Sequence, residues 1–239
     1  MQTYTSKIKK KNKLTESSGF SLIEILIVLF LVSIVLSLAT SFNFTDRQAI
    51  EEELNLLERS IRFGIDESAI KNVMYRLHFN LDDSPQSYSL EYGPDDNFIL
   101  PPPLLVKLEQ LNLKERAVFE KEVEKINKQF TRVKELNDGK HKLEEEVRII
   151  GIGLPDYPEL FTEFHASLYI YPTGEKDNGL IILANDQEVI GISIDPFTRD
   201  IERFYKTTQL QDGDEVADRQ LEDAYEMFNS WRQEWSISK

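Results

Sequence analysis

The sequence predicts an α+β fold: a long N-terminal α-helix, apolar in its first half and amphipathic in its second, packed on an antiparallel β-rich domain with a charged helical insertion and a C-terminal helix. Two patterns lead there. An apolar run near the N-terminus passes directly into a stripe of apolar residues at helical spacing, and beyond it come seven short strand-like segments, the first two alternating with the strand period and the rest set off by turn residues. Strands connected without crossover helices pair as antiparallel hairpins, not as a doubly wound parallel sheet.

Residues 1–19 carry Lys7, Lys9, Lys10, Lys11 and Lys13 against Glu16, a net +4 in a chain that totals −14, so the other 220 of its 239 residues carry −18. Residues 20–39 then form a twenty-residue run whose only ionisable group is Glu24. As a helix rising about 1.5 Å per residue the run spans roughly 30 Å, the hydrocarbon thickness of a bilayer. Lysines before it and none close after it place the N-terminus in the cytoplasm and the body of the protein across the membrane. The residues leave three readings open. A secretory signal peptide has Ser37-Leu38-Ala39 as a small-x-small cleavage site, and a plain anchor has the length of the run. Glu24 weighs against both and favours a segment with a task of its own, because a carboxylate in such a run costs on the order of 2–3 kcal/mol near the bilayer centre.

Residues 40–70 continue as an amphipathic spine. Ile50, Leu54, Leu57, Ile61 and Ile65 recur at spacings of 4, 3, 4 and 4, with charged residues on the other faces. One helix from residue 20 to about 69 would be roughly 75 Å long, with a bend expected near residues 41–46. In the β-rich domain, residues 71–239, strands are expected at 73–79, 87–92, 146–152, 166–171, 179–184, 188–194 and 200–205, punctuated by Pro172-Thr173-Gly174, Asn185-Asp186 and Asp195-Pro196. The helical insertion falls near residues 104–138, where Phe119, Val123, Ile126, Phe130 and Val133 recur at 4, 3, 4 and 3. That seam either pairs with another helix or folds onto its own domain. At the C-terminus Leu221, Tyr225, Phe228, Trp231 and Trp235 form an aromatic stripe, expected to dock on the chain's own sheet, with a partner contact as the second reading.

Catalysis finds little support in the residues. Without cysteine there is no disulfide, no thiolate nucleophile, no Cys-rich zinc site and no iron–sulfur cluster. His78, His141 and His165 fall on different elements without metal-ligand spacing, no Gly-x-Ser-x-Gly elbow occurs, and Gly151-Ile152-Gly153 lacks the lysine and third glycine of a phosphate loop. The acidic loops at 94–97 and 212–215 do not fit a twelve-residue calcium loop and read as solvated turns. The expectation is a non-enzyme with no catalytic residue, no metal and no cofactor. Acidic balance argues against nucleic acid as a partner, and residues 210–239, with eight acids against three bases, reinforce that.

Gly19-Phe20-Ser21-Leu22-Ile23-Glu24, after a short lysine-rich leader and before an apolar helix, closely resembles the class III signal of type IV prepilins and pseudopilins. The resemblance implies that residues 1–19 are a leader, that a prepilin peptidase cuts between Gly19 and Phe20 at the cytoplasmic face, and that Phe20 is then N-methylated. It also places Glu24 fifth in the mature chain, where the family keeps a glutamate for assembly. A carboxylate buried in a filament core needs a partner, and the family supplies it as the α-amine of Phe20 in the same or a neighbouring subunit. Residues 20–39 would be both transmembrane helix and filament core.

A narrower resemblance rests on Arg59-Ser60-Ile61-Arg62, Glu146-Val147-Arg148-Ile149, Leu168-Tyr169-Ile170-Tyr171-Pro172-Thr173-Gly174, Gly179-Leu180-Ile181-Ile182 and Ile194-Asp195-Pro196-Phe197-Thr198-Arg199. Their order is similar to that of the H-type minor pseudopilin of type II secretion, with Arg199 standing where that pattern ends in glycine. It implies a structural subunit of a pseudopilus, in the inner membrane with a periplasmic domain, whose partners are other pseudopilins or pilins, the prepilin peptidase and an inner-membrane assembly platform. The alternatives are a minor pilin of a type IV pilus, serving assembly, adhesion or DNA uptake, and, in a different class, a signal-anchored periplasmic enzyme or binding protein.

Overall fold

The computed structural model describes residues 21–94, 112–135, 139–210 and 215–238; the side chains of 36–46, 237 and 238 lie outside the description. The chain divides into two compact units between Asn43 and Phe44. Helix α1 spans Leu22–Lys71. It stops where Asn72 takes a left-handed φ of 52° and the Val73 amide turns back onto the Ser68 carbonyl at 3.3 Å, a helix end that asparagine tolerates well. The first strand therefore begins at Tyr75, two residues later than expected.

Among the described residues nine strands follow in two sheets, and every pairing is antiparallel. The first sheet contains β1 (Tyr75–Asn80), β2 (Ser87–Tyr92), β3 (Thr131–Arg132), β4 (His141–Lys142) and β6 (His165–Ile170), in the order β3-β2-β1-β6 with β4 also on β2. The second contains β5 (Arg148–Gly153), β7 (Gly179–Ala184), β8 (Glu188–Ile194) and β9 (Ile201–Thr207), in the order β5-β7-β8-β9. The seven longer strands match the expected segments closely. The two-residue strands β3 and β4 were too short to leave a period in the sequence.

Ile50, Leu54, Leu57, Ile61 and Ile65 are all buried, and they share one core with Tyr75, Leu77, Phe79, Leu90, Leu168 and Ile170 of the first sheet and with Ile149, Ile181, Leu183, Ile190 and Ile192 of the second. Each fully buried aliphatic side chain contributes about 1.5–3 kcal/mol, so this one face supplies much of the domain's stability. Helix α3 (Val216–Ser238) covers the second sheet's other face, where Leu180, Ile182, Ala184 and Val189 meet Ala224, Phe228 and Trp231. Burial on both faces explains why β7 reads as an unbroken apolar run, Gly179-Leu180-Ile181-Ile182-Leu183-Ala184. Gly153 admits α3: a Cβ there would lie 2.5 Å from the Phe228 ring.

Two expectations change in detail. The α3 face that docks is rotated from the predicted stripe: Gln220, Asp223, Ala224, Phe228 and Trp231 are buried while Leu221 is 37% exposed. Polar contacts set that rotation. Gln220 donates to the Asn185 carbonyl at 2.6 Å and to Thr208 at 3.2 Å, and Lys206 reaches Asp223 at 2.9 Å. In the insertion, helix α2 (Leu113–Asn127) starts in a capping box between Asn112 and Glu115 and stops before Phe130 and Val133, which are buried beyond its end and do not continue its seam.

Phe228→Ala is expected to destabilise the protein by about 3–5 kcal/mol through the cavity it opens, and Leu221→Ala by well under 1 kcal/mol. Urea unfolding followed by circular dichroism checks both. Similar costs for the two would mean that α3 docks by its predicted stripe after all.

Candidate assembly segment

Ser21 immediately precedes α1 and caps it. Its hydroxyl accepts the Glu24 amide at 3.2 Å, and its carbonyl accepts the amides of Glu24 at 3.0 Å and Ile25 at 3.2 Å. Glu24 thus sits third in the first turn, where amide groups still lack helical partners and the helix dipole favours a carboxylate. Among the described residues that carboxylate has no ion-pair partner. Gly19 and Phe20 lie outside the described residues.

From Leu22 to Val35 every side chain is exposed, from Leu22 at 81% to Ile34 at 40%. A helix that presents aliphatic and aromatic groups on all sides is stable only where lipid or other helices surround it. Ser33 does not interrupt this surface, because its hydroxyl returns to the Phe30 carbonyl at 2.8 Å. Among the described residues no helix is long and apolar enough to cross a membrane. The described side chains of the predicted transmembrane run end at Val35, so Phe20 and the side chains of 36–39 fall outside them.

Within the domain, the outer face of the first sheet carries charges that alternation alone would send to solvent. Arg76 is 1% exposed and donates to Glu91 at 2.7 and 2.9 Å and to Asn127 at 2.9 Å, with its guanidinium 3.8 Å from the centre of the Phe130 ring. Ser89 donates to the second oxygen of Glu91 at 2.9 Å, and Arg132 approaches it to 3.6 Å. The chain from α2 to β3 covers this network, and Gly93 gives Phe130 its seat, since a Cβ there would come 2.1 Å from the ring.

His78 lies on the same face, hydrogen-bonded through Nδ1 to Ser167 at 2.9 Å and stacked on His165 with ring centres 5.3 Å apart. Burial, and then the neighbouring Arg76 charge, lower its pKa to about 3. On the spine, Glu53 is 1% exposed and accepts from His141 at 2.7 Å and from the Glu144 amide at 3.1 Å. Burial, with the Glu53 charge added, holds the Tyr88 hydroxyl well above its ordinary range.

Sequence reasoning missed Glu53, Arg76, Glu91 and Asp223 as buried charges. For Glu53 a signal existed: it stands three after Ile50 and four before Leu57, on the apolar seam itself. The three histidines take two separate roles, and among the described residues no group of three or more His, Asp or Glu is placed to hold a metal. Most of both acidic loops, 95–97 and 212–214, lies outside the described residues.

Residues 15–40, which include Gly19, Phe20, Ser21 and Glu24, match the family model of the prokaryotic N-terminal methylation motif. No curated protein and no solved structure matches the chain.

Because the folded pKa of His78 lies below its unfolded value of about 6.5, its neutral form stabilises the fold fully above that pH and progressively less toward about 3. The loss amounts to about 2 kcal/mol by pH 5. His78→Gln is expected to flatten the stability curve between pH 7 and 5 by about that amount. Urea midpoints at the two values measure it, and an unchanged slope in the variant would show that His78 is not the group responsible.

Proposed function

We propose that this type IV pilin-like protein is a minor pseudopilin, a non-catalytic subunit that joins or initiates a short periplasmic pseudopilus in type II secretion. Its N-terminal methylation motif implies processing by a prepilin peptidase and assembly with other pilins in a filament. The observation that carries the rest is the apolar segment from Leu22 to Val35, exposed on every side, with one carboxylate in its first turn. Cleavage after Gly19 frees the Phe20 amine four residues from Glu24. In a filament core, where an unpaired carboxylate or ammonium costs several kcal/mol, that amine and the Glu24 of a neighbour neutralise each other and fix the register of docking. Before cleavage the chain is a single-pass inner-membrane protein with residues 1–19 cytoplasmic and the β-rich domain periplasmic, and the mature chain keeps that orientation from Phe20 until assembly. Once extracted it presents that domain to neighbouring subunits or cargo. The order of strand and turn motifs from Arg59 to Arg199 supports the pseudopilin over the minor pilin.

Maturation is tested by intact mass and N-terminal peptide sequencing. A start at methylated Phe20 is expected; a start at Thr40 would mean ordinary signal-peptidase cleavage and an end to the filament reading. Deleting the gene is expected to leave exported proteins in the periplasm, and loss of surface pili with normal secretion would assign the chain to a type IV pilus.

Glu24→Val is expected to leave membrane insertion intact, since the desolvation cost of the acid disappears. It should block assembly, because the incoming amine is then buried alone. Ile25→Val, which removes one methylene, should alter neither, at a packing cost of about 1 kcal/mol. Crosslinking to the neighbouring subunit reads the outcome. Normal assembly of the Glu24 variant would leave the acid only its place in the capped first turn or in peptidase recognition.

A further inference from the structure

A cleft of about 400 Å³ opens on the outer face of the second sheet, between the C-terminal half of α3 and the start of β9. Its volume is that of a site for a side chain or small ligand. Its walls combine Phe204, Trp231 and Trp235 with the carboxylates of Asp200, Glu202 and Glu234. Trp231 is only 7% exposed and its indole is fixed by a 2.8 Å hydrogen bond to Ser193. The aromatic wall is therefore held in place before any ligand arrives.

The charge pattern along this face is incomplete. Every second residue of β9 points toward α3: Glu202, Phe204 and Lys206. At one end Lys206 answers the helix's acids, Asp223 at 2.9 Å and Glu226 beside it. At the other end Glu202 of β9 and Glu234 of α3 line the same cleft, two acids with no base between them among the described residues. The nearby cations are committed elsewhere. Arg199 pairs with Asp66, Lys176 is buried and donates to the Thr198 carbonyl, Arg203 turns to Glu51 and Glu58 on the spine, and Arg232 donates to the Tyr157 carbonyl at 3.3 Å. Among the described residues no basic side chain pairs with Asp200, Glu202 or Glu234. On the same wall the Asn178 amide nitrogen is buried without an acceptor.

We infer that this cleft docks a basic side chain, arginine or lysine, presented by a peptide segment of a partner protein. A guanidinium or ammonium over the aromatic faces gains cation–π attraction while its N–H groups meet the carboxylates, the combination to which arginine is best suited. A peptide also brings a carbonyl oxygen for Asn178. A neutral sugar would stack on the tryptophans equally well but would leave the carboxylates facing one another. A metal ion lacks the required set of three placed ligands among the described residues. The excess of negative charge on the chain beyond its leader draws a basic segment toward this face.

The chain has two tryptophans and both line the cleft, so intrinsic fluorescence reports its occupancy directly. The full-length mature protein in detergent is titrated with acetyl-Gly-Arg-Gly-amide, with the same peptide carrying neutral citrulline, and with chitotriose. The arginine peptide is expected to change tryptophan emission saturably, and more weakly as salt rises, while citrulline and chitotriose do not. Glu202→Gln with Glu234→Gln should weaken the arginine peptide roughly tenfold or more. Glu226→Gln, which removes a charge of the same helix already matched by Lys206, should leave binding unchanged. Absence of a saturable response, or equal binding of citrulline, overturns the inference, and a response to chitotriose alone would make the cleft a glycan site. Because the titration uses unassembled protein, its outcome is independent of whether the chain enters a filament.

Discussion

One face of α1 from Ile50 to Ile65 is the surface on which both sheets close. Tyr75, Leu77 and Phe79 of the first sheet and Ile181, Leu183 and Ile192 of the second belong to the same buried core as Ile50, Leu54, Leu57, Ile61 and Ile65 of this helix. Neither sheet buries that face without it. The helix is held by polar contacts as well. Arg203 of β9 reaches Glu51, Asn55 and Glu58, three residues on adjacent turns, and His141 of β4 reaches the buried Glu53. Glu53 tolerates burial because its two oxygens each have a donor, the condition under which a charge on an apolar seam is stable.

Charge also decides how the peripheral elements sit. Arg76 and Glu91 face each other across the β1–β2 pair, in direct register, and are buried because the insertion folds over them. Asn127 at the end of α2 and Phe130 just beyond it both engage Arg76, so the insertion is fastened at its C-terminal end. Helix α2 itself buries no residue and stays largely solvated, with Phe119, Val123 and Ile126 only half-buried. Helix α3 behaves differently: an apolar centre at Ala224 and Phe228 seals the second sheet, a polar clamp holds its beginning, and an acid-lined cleft remains at its end.

The N-terminal segment obeys another solvent. Its residues from Leu22 to Val35 expose apolar surface on all sides, whereas the helix beyond Ile50 buries one face and leaves the other polar. That change within one element is what a subunit needs if its stem is to be packed among other stems while its domain remains in water.

The sequence by itself determined the elements whose pattern is local. The five spine aliphatics, the seven longer strands and the N-terminal methylation motif were all legible, because period, turn chemistry and motif spacing are written in neighbouring residues. It also placed α2 within the insertion. Only the tertiary structure decided where α2 stops, which face of α3 docks, and which charges are buried. Those depend on partners distant in the chain: Phe130 leaves the helical seam to cap Arg76, and Asp223 turns inward to meet Lys206. A polar residue in an alternating strand reads as solvent-facing until another segment covers it, and Arg76 and Glu91 are covered by residues 51 and 41 positions away, Asn127 and Arg132. Burial is a property of what lies opposite, and no local period encodes that.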